Sequence, residues 1–144
     1  MIRRSLCAAA AFAAIAATSP ALAGDVTVTL TDVRPDAGEL YISLQSEDQF
    51  MQSAAVAGEK VDNPQTDTVT VTFRNVPDGR YAISVWHDIN GDGTFNMGPH
   101  GPADGWSMIG ADDLRGMPTF ARNSFVLSGS ASLTERVHYP EDSQ

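Results

Sequence analysis

The sequence predicts an all-β protein, an antiparallel β-sandwich with one short helix and one long ordered loop. Several short segments alternate apolar and polar residues with the period of two that is typical of half-buried strands. Pro, Gly, Asp and Asn residues, which favour turns, separate these segments. No strand–helix–strand rhythm is visible, so a parallel sheet is not predicted.

Six segments carry the strand pattern. In the first, Val26, Val28 and Leu30 fall on one face and threonines on the other. In the last, Glu135 shares the row of apolar residues, which either a bulge or an edge position would accommodate. The predicted strands are residues 25–33, 39–45, 68–76, 80–87, 119–127 and 131–139.

The period changes after the second strand. Ser46 and Gln49 have the spacing of a capping box, and Gly58 stands where a helix would end. Phe50, Ala54 and Ala57 would share one face of such a helix, so residues 46–58 are predicted to be helical. The polar residues 59–67 are predicted to form a loop.

The N-terminus has the pattern of a secretory signal peptide. Arg3 and Arg4 precede a short apolar run, and Ala21-Leu22-Ala23 fits a cleavage signal. We expect residues 1–23 to be removed after Ala23 and residues 24–144 to form one periplasmic or secreted domain. Since the only cysteine, Cys7, lies in the removed segment, the domain should be stable without disulfides.

The charge balance excludes one class of partner. Removing residues 1–23 takes away two of nine basic residues and no acidic residue, so the net charge falls from −9 to about −11. An acidic surface repels phosphate backbones, so nucleic acid is not an expected partner. It attracts cations, although acidity can also serve solubility alone. A membrane span is not expected either, because the apolar run of the predicted signal peptide, residues 5–17, is too short to cross a bilayer.

The stretch from Trp86 to Asn96 carries the most specific motif. Oxygen-bearing side chains alternate at Asp88, Asn90 and Asp92, and Gly93 permits a sharp bend, as in the first half of a calcium loop. Thr94 would add its carbonyl oxygen, and Asn96 a side-chain oxygen. The twelfth position, which holds a bidentate acid in such loops, is Pro99, so another carboxylate must complete the site. The predicted calcium ligands are Asp88, Asn90, Asp92, Thr94, Asn96 and Asp104, with Asp112 and Asp113 as further candidates for the completing acid.

Calcium would be a structural ion that orders the long segment 97–118. Asn-Gly and Asp-Gly pairs also form tight turns without any ion, because Asp and Asn side chains bond to their own backbone. A metal-free loop therefore remains a second interpretation. In that case segment 97–118 and Trp106 would present a surface to an envelope protein or a glycan.

A third interpretation is a small metal-dependent hydrolase that uses His87 and Asp88. On alternation His87 points inward at a strand end, where a hydrogen-bonded histidine is the more common structure. The chain lacks a Gly-x-Ser-x-Gly elbow and a glycine-rich phosphate loop, so we do not expect an enzyme. Trp86 alternates to the opposite face from His87, where a loop would cover it.

The segment Val76–Gly93 resembles the core signature of the DUF2141 family, which comprises exported bacterial proteins of uncharacterised function. Residues 101–107 are similar, with looser spacing, to that family's downstream Gly-x-Pro-x-Glu-x-aromatic-x-Ser region, and residues 117–121 are similar to its Pro-x-Phe-x-x-Ala segment. The resemblance covers most of the mature chain. It implies an exported sandwich in the style of immunoglobulin-like or prealbumin-like domains, without an established activity. Asp104 stands where the family pattern has a glutamate.

Overall fold

The computed structural model describes residues 22–143, so the predicted signal peptide lies almost wholly outside the described residues. Ten strands and three short 3-10 turns make up this part of the chain. The strands are β1 Ala23–Thr31, β2 Glu39–Gln45, β3 Ala57–Val61, β4 Val69–Pro77, β5 Gly79–Asp88, β6 Met97–Gly98, β7 Gly101–Pro102, β8 Gly105–Met108, β9 Phe125–Leu127 and β10 Ala131–Arg136. The 3-10 turns are Glu47–Gln49, Ala111–Asp113 and Pro140–Ser143.

The strands form two main sheets that pack face to face, which confirms the predicted β-sandwich. The first sheet has the order β10-β1-β4, and the second has the order β3-β2-β5-β8, with β9 also paired to β5. Pairing is antiparallel except between β1 and β10, which are parallel. Strands β6 and β7 form a separate small hairpin. No helix among residues 22–143 is long and apolar enough to cross a membrane.

The core lies between the two sheets and contains the apolar rows that alternation predicts. Apolar burial of this kind is the main driving force for closing a sandwich. Its fully buried members include Val26, Val28, Leu30, Leu40, Leu44 and Ile83. Glu135 lies on β10, the edge of the first sheet, so the edge position and not a bulge accommodates it.

The predicted helix at residues 46–58 is wrong. The Gln49 side chain does accept the Ser46 amide at 3.2 Å, but helical structure stops after one 3-10 turn. The buried Gln45 side chain donates to the carbonyls of Gln52 and Ala54 at 2.7 and 3.0 Å, which holds this chain against the sheet in a non-helical path. Residues 57–61, divided between the helix and the loop in the prediction, form the edge strand β3.

Three other segments also differ from the prediction. The segment 97–118 is ordered but contains β6, β7 and β8, so it is not one long loop. Of the predicted strand 119–127, only Phe125–Leu127 pairs, because Asn123 holds residues 119–123 in a turn by accepting the Thr119 amide at 3.0 Å. The last strand ends at Arg136 instead of Tyr139.

Gly38 is the position in the β1–β2 connection where a side chain cannot be placed. Its φ is +113°, and an added Cβ would stand 2.1 Å from the Asp88 carbonyl oxygen. Gly129 also has a positive φ, of +79°, but has open space around it. We expect Gly38→Ala to destabilise the fold by about 1–3 kcal/mol more than Gly129→Ala, because only Gly38 adds a steric clash. Thermal unfolding of both variants measures this, and equal losses would contradict it.

Burial of the Glu135 side chain raises its pKa to about 7, with a smaller contribution from the Asp112 charge. The folded protein therefore holds this proton more tightly than the unfolded chain, whose Glu has a pKa near 4.5. The resulting loss of stability develops as pH rises from about 4.5 to about 7 and is complete above that range. Glu135→Gln should thus raise the melting temperature at pH 8 and leave it unchanged at pH 4. The exposed Glu59 provides the control Glu59→Gln, and a pH-independent effect of Glu135→Gln would refute the expectation.

Candidate functional site

The predicted calcium loop lies directly after β5 and is held by side chains that bond to its own backbone. Asp88 is buried, and its two carboxylate oxygens accept the Gly91 and Gly93 amides, each at 2.9 Å. Asn90 Oδ1 accepts the Asp92 amide at 3.0 Å, and Asp92 Oδ1 accepts the Thr94 amide at 2.9 Å. These are Asx-turn contacts, which stabilise the loop without an ion.

Three of the predicted ligands do meet at one atom. Asp92 Oδ2 accepts the side-chain amide of Asn96 at 2.7 Å and that of Asn90 at 3.2 Å. Thr94 takes part through its backbone amide, which donates to Asp92 Oδ1, and not through the predicted carbonyl. Among residues 22–143, no group of three or more His, Cys, Asp or Glu side chains is placed to hold a metal ion.

Asp104, the predicted completing acid, is close to the loop and fully buried. Its Oδ2 accepts the Asn96 amide at 3.3 Å and the indole Nε1 of Trp86 at 3.2 Å. Its Oδ1 is buried and has no hydrogen-bond partner among the described residues. Buried polar atoms normally have a hydrogen-bond partner. The Oδ1 of Asp104 is therefore an acceptor that lacks a donor or a cation among the described residues.

The other candidate acids lie elsewhere. Asp112 Oδ1 accepts two hydrogen bonds from the Arg136 guanidinium, at 3.0 and 3.1 Å, and lies 3.2 Å from His138 Nε2. Asp113 is exposed in the same 3-10 turn. Neither carboxylate shares a described contact with the loop after β5.

His87 lies inside the sandwich and not in an open cleft. It is fully buried, its Nδ1 is 2.7 Å from Tyr139 Oη, and burial lowers the pKa of its imidazole. Tyr139 Oη also accepts the Arg34 amide at 2.9 Å, while the Arg34 guanidinium lies 4.0 Å from the centroid of the Tyr139 ring. These contacts tie the end of the chain to the β1–β2 connection, which is a structural role.

A cavity of about 740 Å³ lies on the outer face of the second sheet. Register places Tyr41, Trp86 and Trp106 directly opposite one another on β2, β5 and β8. The Tyr41 and Trp86 rings stack with centroids 4.8 Å apart, and Phe95 meets Trp86 edge-on at 6.4 Å. We call this cavity the aromatic groove, defined by that row of three rings and by Ser43 and Ser84 in the next row.

The walls of the aromatic groove come from the segments that flank the second sheet. Met51 and its neighbours form one side, and residues from Phe95 to Pro118 form the other. All four methionines of residues 22–143 line the groove, and Met97 and Met117 are 69% and 77% exposed. No Asp, Glu, Lys or Arg side chain is among the described residues that line it.

Sequence reasoning found part of this site. Alternation correctly placed Trp86 away from the core, and Trp106 and segment 97–118 were predicted to form a surface. Tyr41, Ser43 and Ser84 were missed as site residues, because only the pairing of β2 with β5 brings them beside the tryptophans. The sequence did contain one indication of these residues, because they alternate with apolar residues and so lie on the face of each strand that points away from the core.

Comparison with known proteins identifies a family. The family model described as "Uncharacterized protein conserved in bacteria (DUF2141)" matches residues 28–134. Comparisons with curated proteins and with solved structures found no match. The matched range runs from within β1 to within β10, so it includes the aromatic groove, the loop after β5 and Asp104. The chain therefore belongs to the DUF2141 family.

Proposed function

We propose that this protein is an exported binding module, periplasmic or secreted, whose ligand occupies the aromatic groove. The observation that carries the proposal is the row of Tyr41, Trp86 and Trp106 across three paired strands, opening into a cavity of about 740 Å³. That volume falls within the range of about 300–1,000 Å³ that small-molecule sites occupy. Rings fixed by sheet register offer a preorganised surface, which reduces the entropy lost on binding.

Exposed apolar side chains support the same proposal. Phe95, Met97 and Met117 are large, apolar and between 45% and 77% exposed, and they border one cavity instead of being scattered. Clustered exposed apolar residues mark interaction sites on soluble proteins. Segment 97–118 supplies one wall of the groove, and it is the segment that the metal-free interpretation of the sequence would present to an envelope protein or a glycan.

The geometry favours binding over catalysis. His87, the proposed base of a hydrolase, is buried beneath the sheet and bonded to Tyr139, so it does not reach the groove. No carboxylate lines the groove that could act with His100, the histidine found among the lining residues. Acid–base chemistry needs such a group within hydrogen-bond reach of the substrate.

Trp106→Ala should weaken ligand binding roughly tenfold or more, because truncating a central aromatic residue commonly costs over 1 kcal/mol. The exposed Val126 lies on β9 outside the groove, so Val126→Ala is the control and should bind as the unaltered protein does. The measurement is the shift of the indole N–H signals in a nuclear magnetic resonance titration, both signals in the unaltered protein and in Val126→Ala and the Trp86 signal in Trp106→Ala. The probes are a neutral aromatic dye, its anionic analogue and a chitin oligosaccharide.

Binding by any of the three probes that moves both indole signals and persists in EDTA supports the groove as the site. Circular dichroism of each variant verifies that the fold is retained. If none of the probes moves the indole signals, or if Trp106→Ala binds as well as Val126→Ala, the groove is not the binding site.

A specific observation also favours a second function, a structural calcium site in the loop after β5. Asp104 is a fully buried acid, and its Oδ1 has no partner among the described residues. An uncompensated buried carboxylate is costly, and a bound cation would offset that cost. Asn96 bonds to Asp104 through its amide and to Asp92 through its side chain, so the completing acid adjoins the cluster of oxygen ligands. Ca²⁺ takes six to eight such oxygens.

If calcium binds there, excess Ca²⁺ should raise the stability of the protein by about 2.7 kcal/mol when its concentration is a hundred times the Kd. Asp104→Asn should abolish that gain. In EDTA the same variant should be at least as stable as the unaltered protein, since it removes a buried charge and keeps an oxygen for Trp86 and Asn96. Thermal unfolding with Ca²⁺, Mg²⁺ or EDTA measures these effects.

The exposed Asp48 provides the control Asp48→Asn, which removes one charge far along the chain from the loop and should keep the full response to Ca²⁺. A melting temperature of the unaltered protein that is the same in Ca²⁺ and in EDTA would exclude the calcium site. It would leave the hydrogen-bonded turns as the complete explanation of the loop.

A further inference from the structure

We propose that the aromatic groove selects an uncharged, largely apolar molecule that carries a hydrogen-bond donor. This inference rests on the groove being the binding site. It adds the chemical class of the ligand.

Charge is the first argument. The chain has a net charge of −9, yet none of the described residues that line the groove is charged. Two carboxylates contact the aromatic row without lining the cavity: Asp104 accepts the Trp86 indole N–H at 3.2 Å, and Glu39 accepts the Tyr41 hydroxyl. Glu39 is also paired with Lys60 at 2.8 Å, and Lys60 does not line the cavity. A charged ligand would lose hydration in the groove and find no opposite charge there, which costs binding free energy. The acidic remainder of the surface would also repel anions.

A buried acceptor supplies the second argument. Gln45 lines the groove, is 2% exposed, and its Oε1 has no hydrogen-bond partner among the described residues. Its Nε2 is held by the carbonyls of Gln52 and Ala54, so the amide cannot turn to change which atom is unpaired without breaking two hydrogen bonds. A buried acceptor without a donor is unfavourable, and an O–H or N–H of the ligand would supply the donor for Oε1. A ligand that carries such a donor should therefore bind more tightly than one that lacks it.

The shape of the floor is the third argument. Tyr41, Trp86 and Trp106 form a row of rings, and the next row along β2 and β5 holds the small residues Ser43 and Ser84. Both rows line the cavity, so a ligand that lies over the serines would also lie beside the rings. Aromatic residues with a few polar groups are a common lining of small-molecule sites.

The methionines provide the fourth argument. Met51, Met97, Met108 and Met117 all border the same cavity. Methionine side chains are flexible and polarizable, so they adapt to apolar ligands of different outline. Oligosaccharide recognition instead depends on many directed hydrogen bonds, which thioethers do not supply.

The experiment compares two dyes that share one ring system and differ in charge. N-phenyl-1-naphthylamine is neutral and carries an N–H donor, and its 8-sulfonate is an anion. Both tryptophans of the chain line the groove, so quenching of tryptophan emission by energy transfer reports its occupancy by either dye, and displacement of the neutral dye reports binding of the oligosaccharide. We expect the purified protein to bind the neutral dye at least about tenfold more tightly than the sulfonate or a chitin oligosaccharide, which is 1.4 kcal/mol.

Ser84→Lys places a cation on the floor and should reverse the preference, weakening the neutral dye and strengthening the sulfonate. Met117→Lys adds the same charge at an exposed position of the rim, so it keeps the test valid if Ser84→Lys does not fold. Val126→Lys, on an exposed position outside the groove, is the control for net charge and should leave the preference unchanged.

Equal or tighter binding of the sulfonate or the oligosaccharide by the unaltered protein would overturn the proposed ligand class, while still showing that the groove binds. Absence of binding by all three probes would overturn the groove as a site. A preference that Val126→Lys alters as much as Ser84→Lys would also overturn the inference, because net charge and not the groove would then set the selection.

Discussion

The close packing around Gly105 is the constraint on which the aromatic groove depends. A Cβ at this position would stand 2.6 Å from Tyr139 Cε1 and 2.8 Å from His87 Cβ, so only glycine allows β8 to pair with β5 there. That pairing sets Trp106 opposite Trp86 and completes the row of rings. The Trp106 backbone in turn exchanges hydrogen bonds of 2.9 and 2.8 Å with His138, whose ring stacks on the indole at 5.0 Å. The absence of a side chain at Gly105 therefore lets the buried pair of His87 and Tyr139 pack against β8, and this packing fixes the position of Trp106 on the outer face.

Acidic residues and apolar rings serve different parts of this face. Asp88 uses both carboxylate oxygens to fix the loop after β5, and Asp104 holds the indole nitrogen of Trp86 and the amide of Asn96. Asp88 and Asp104 therefore hold residues of the groove wall in place, although neither acid lines the cavity and its lining is uncharged. In the proposed binding function, recognition would therefore rest on ring faces, thioethers and the Gln45 amide, while the unpaired Oδ1 of Asp104 belongs to the proposed calcium site.

Alternation predicted the sandwich, most strands and the inward direction of His87, because burial on one face imposes a period of two. It missed β3, in which Gly58, Glu59 and Lys60 are exposed, since an edge strand need not be apolar on either face. The helix prediction failed because a tertiary contact, from Gln45, outweighed a local capping signal. The predicted ligands Asp88, Asn90 and Asp92 lie in one loop, but Asx-turn geometry serves ion-binding and ion-free loops alike, so the sequence does not separate the two. The groove needed strand register, which a single sequence does not specify.

The parallel pairing of β1 with β10 has a consequence for how the chain folds. Val26 pairs with Ala131 and Thr31 with Arg136, so the central strand of the first sheet acquires one neighbour only from the far end of the sequence. The chain loses conformational entropy when it closes a loop of this length, before the contacts between β1 and β10 can stabilise the sheet. Topologies of this kind are therefore slow to fold. During synthesis the first sheet cannot be completed until nearly the whole chain has emerged. The nascent protein would therefore remain without its finished core, and with an unpaired edge on β1, until β10 arrives.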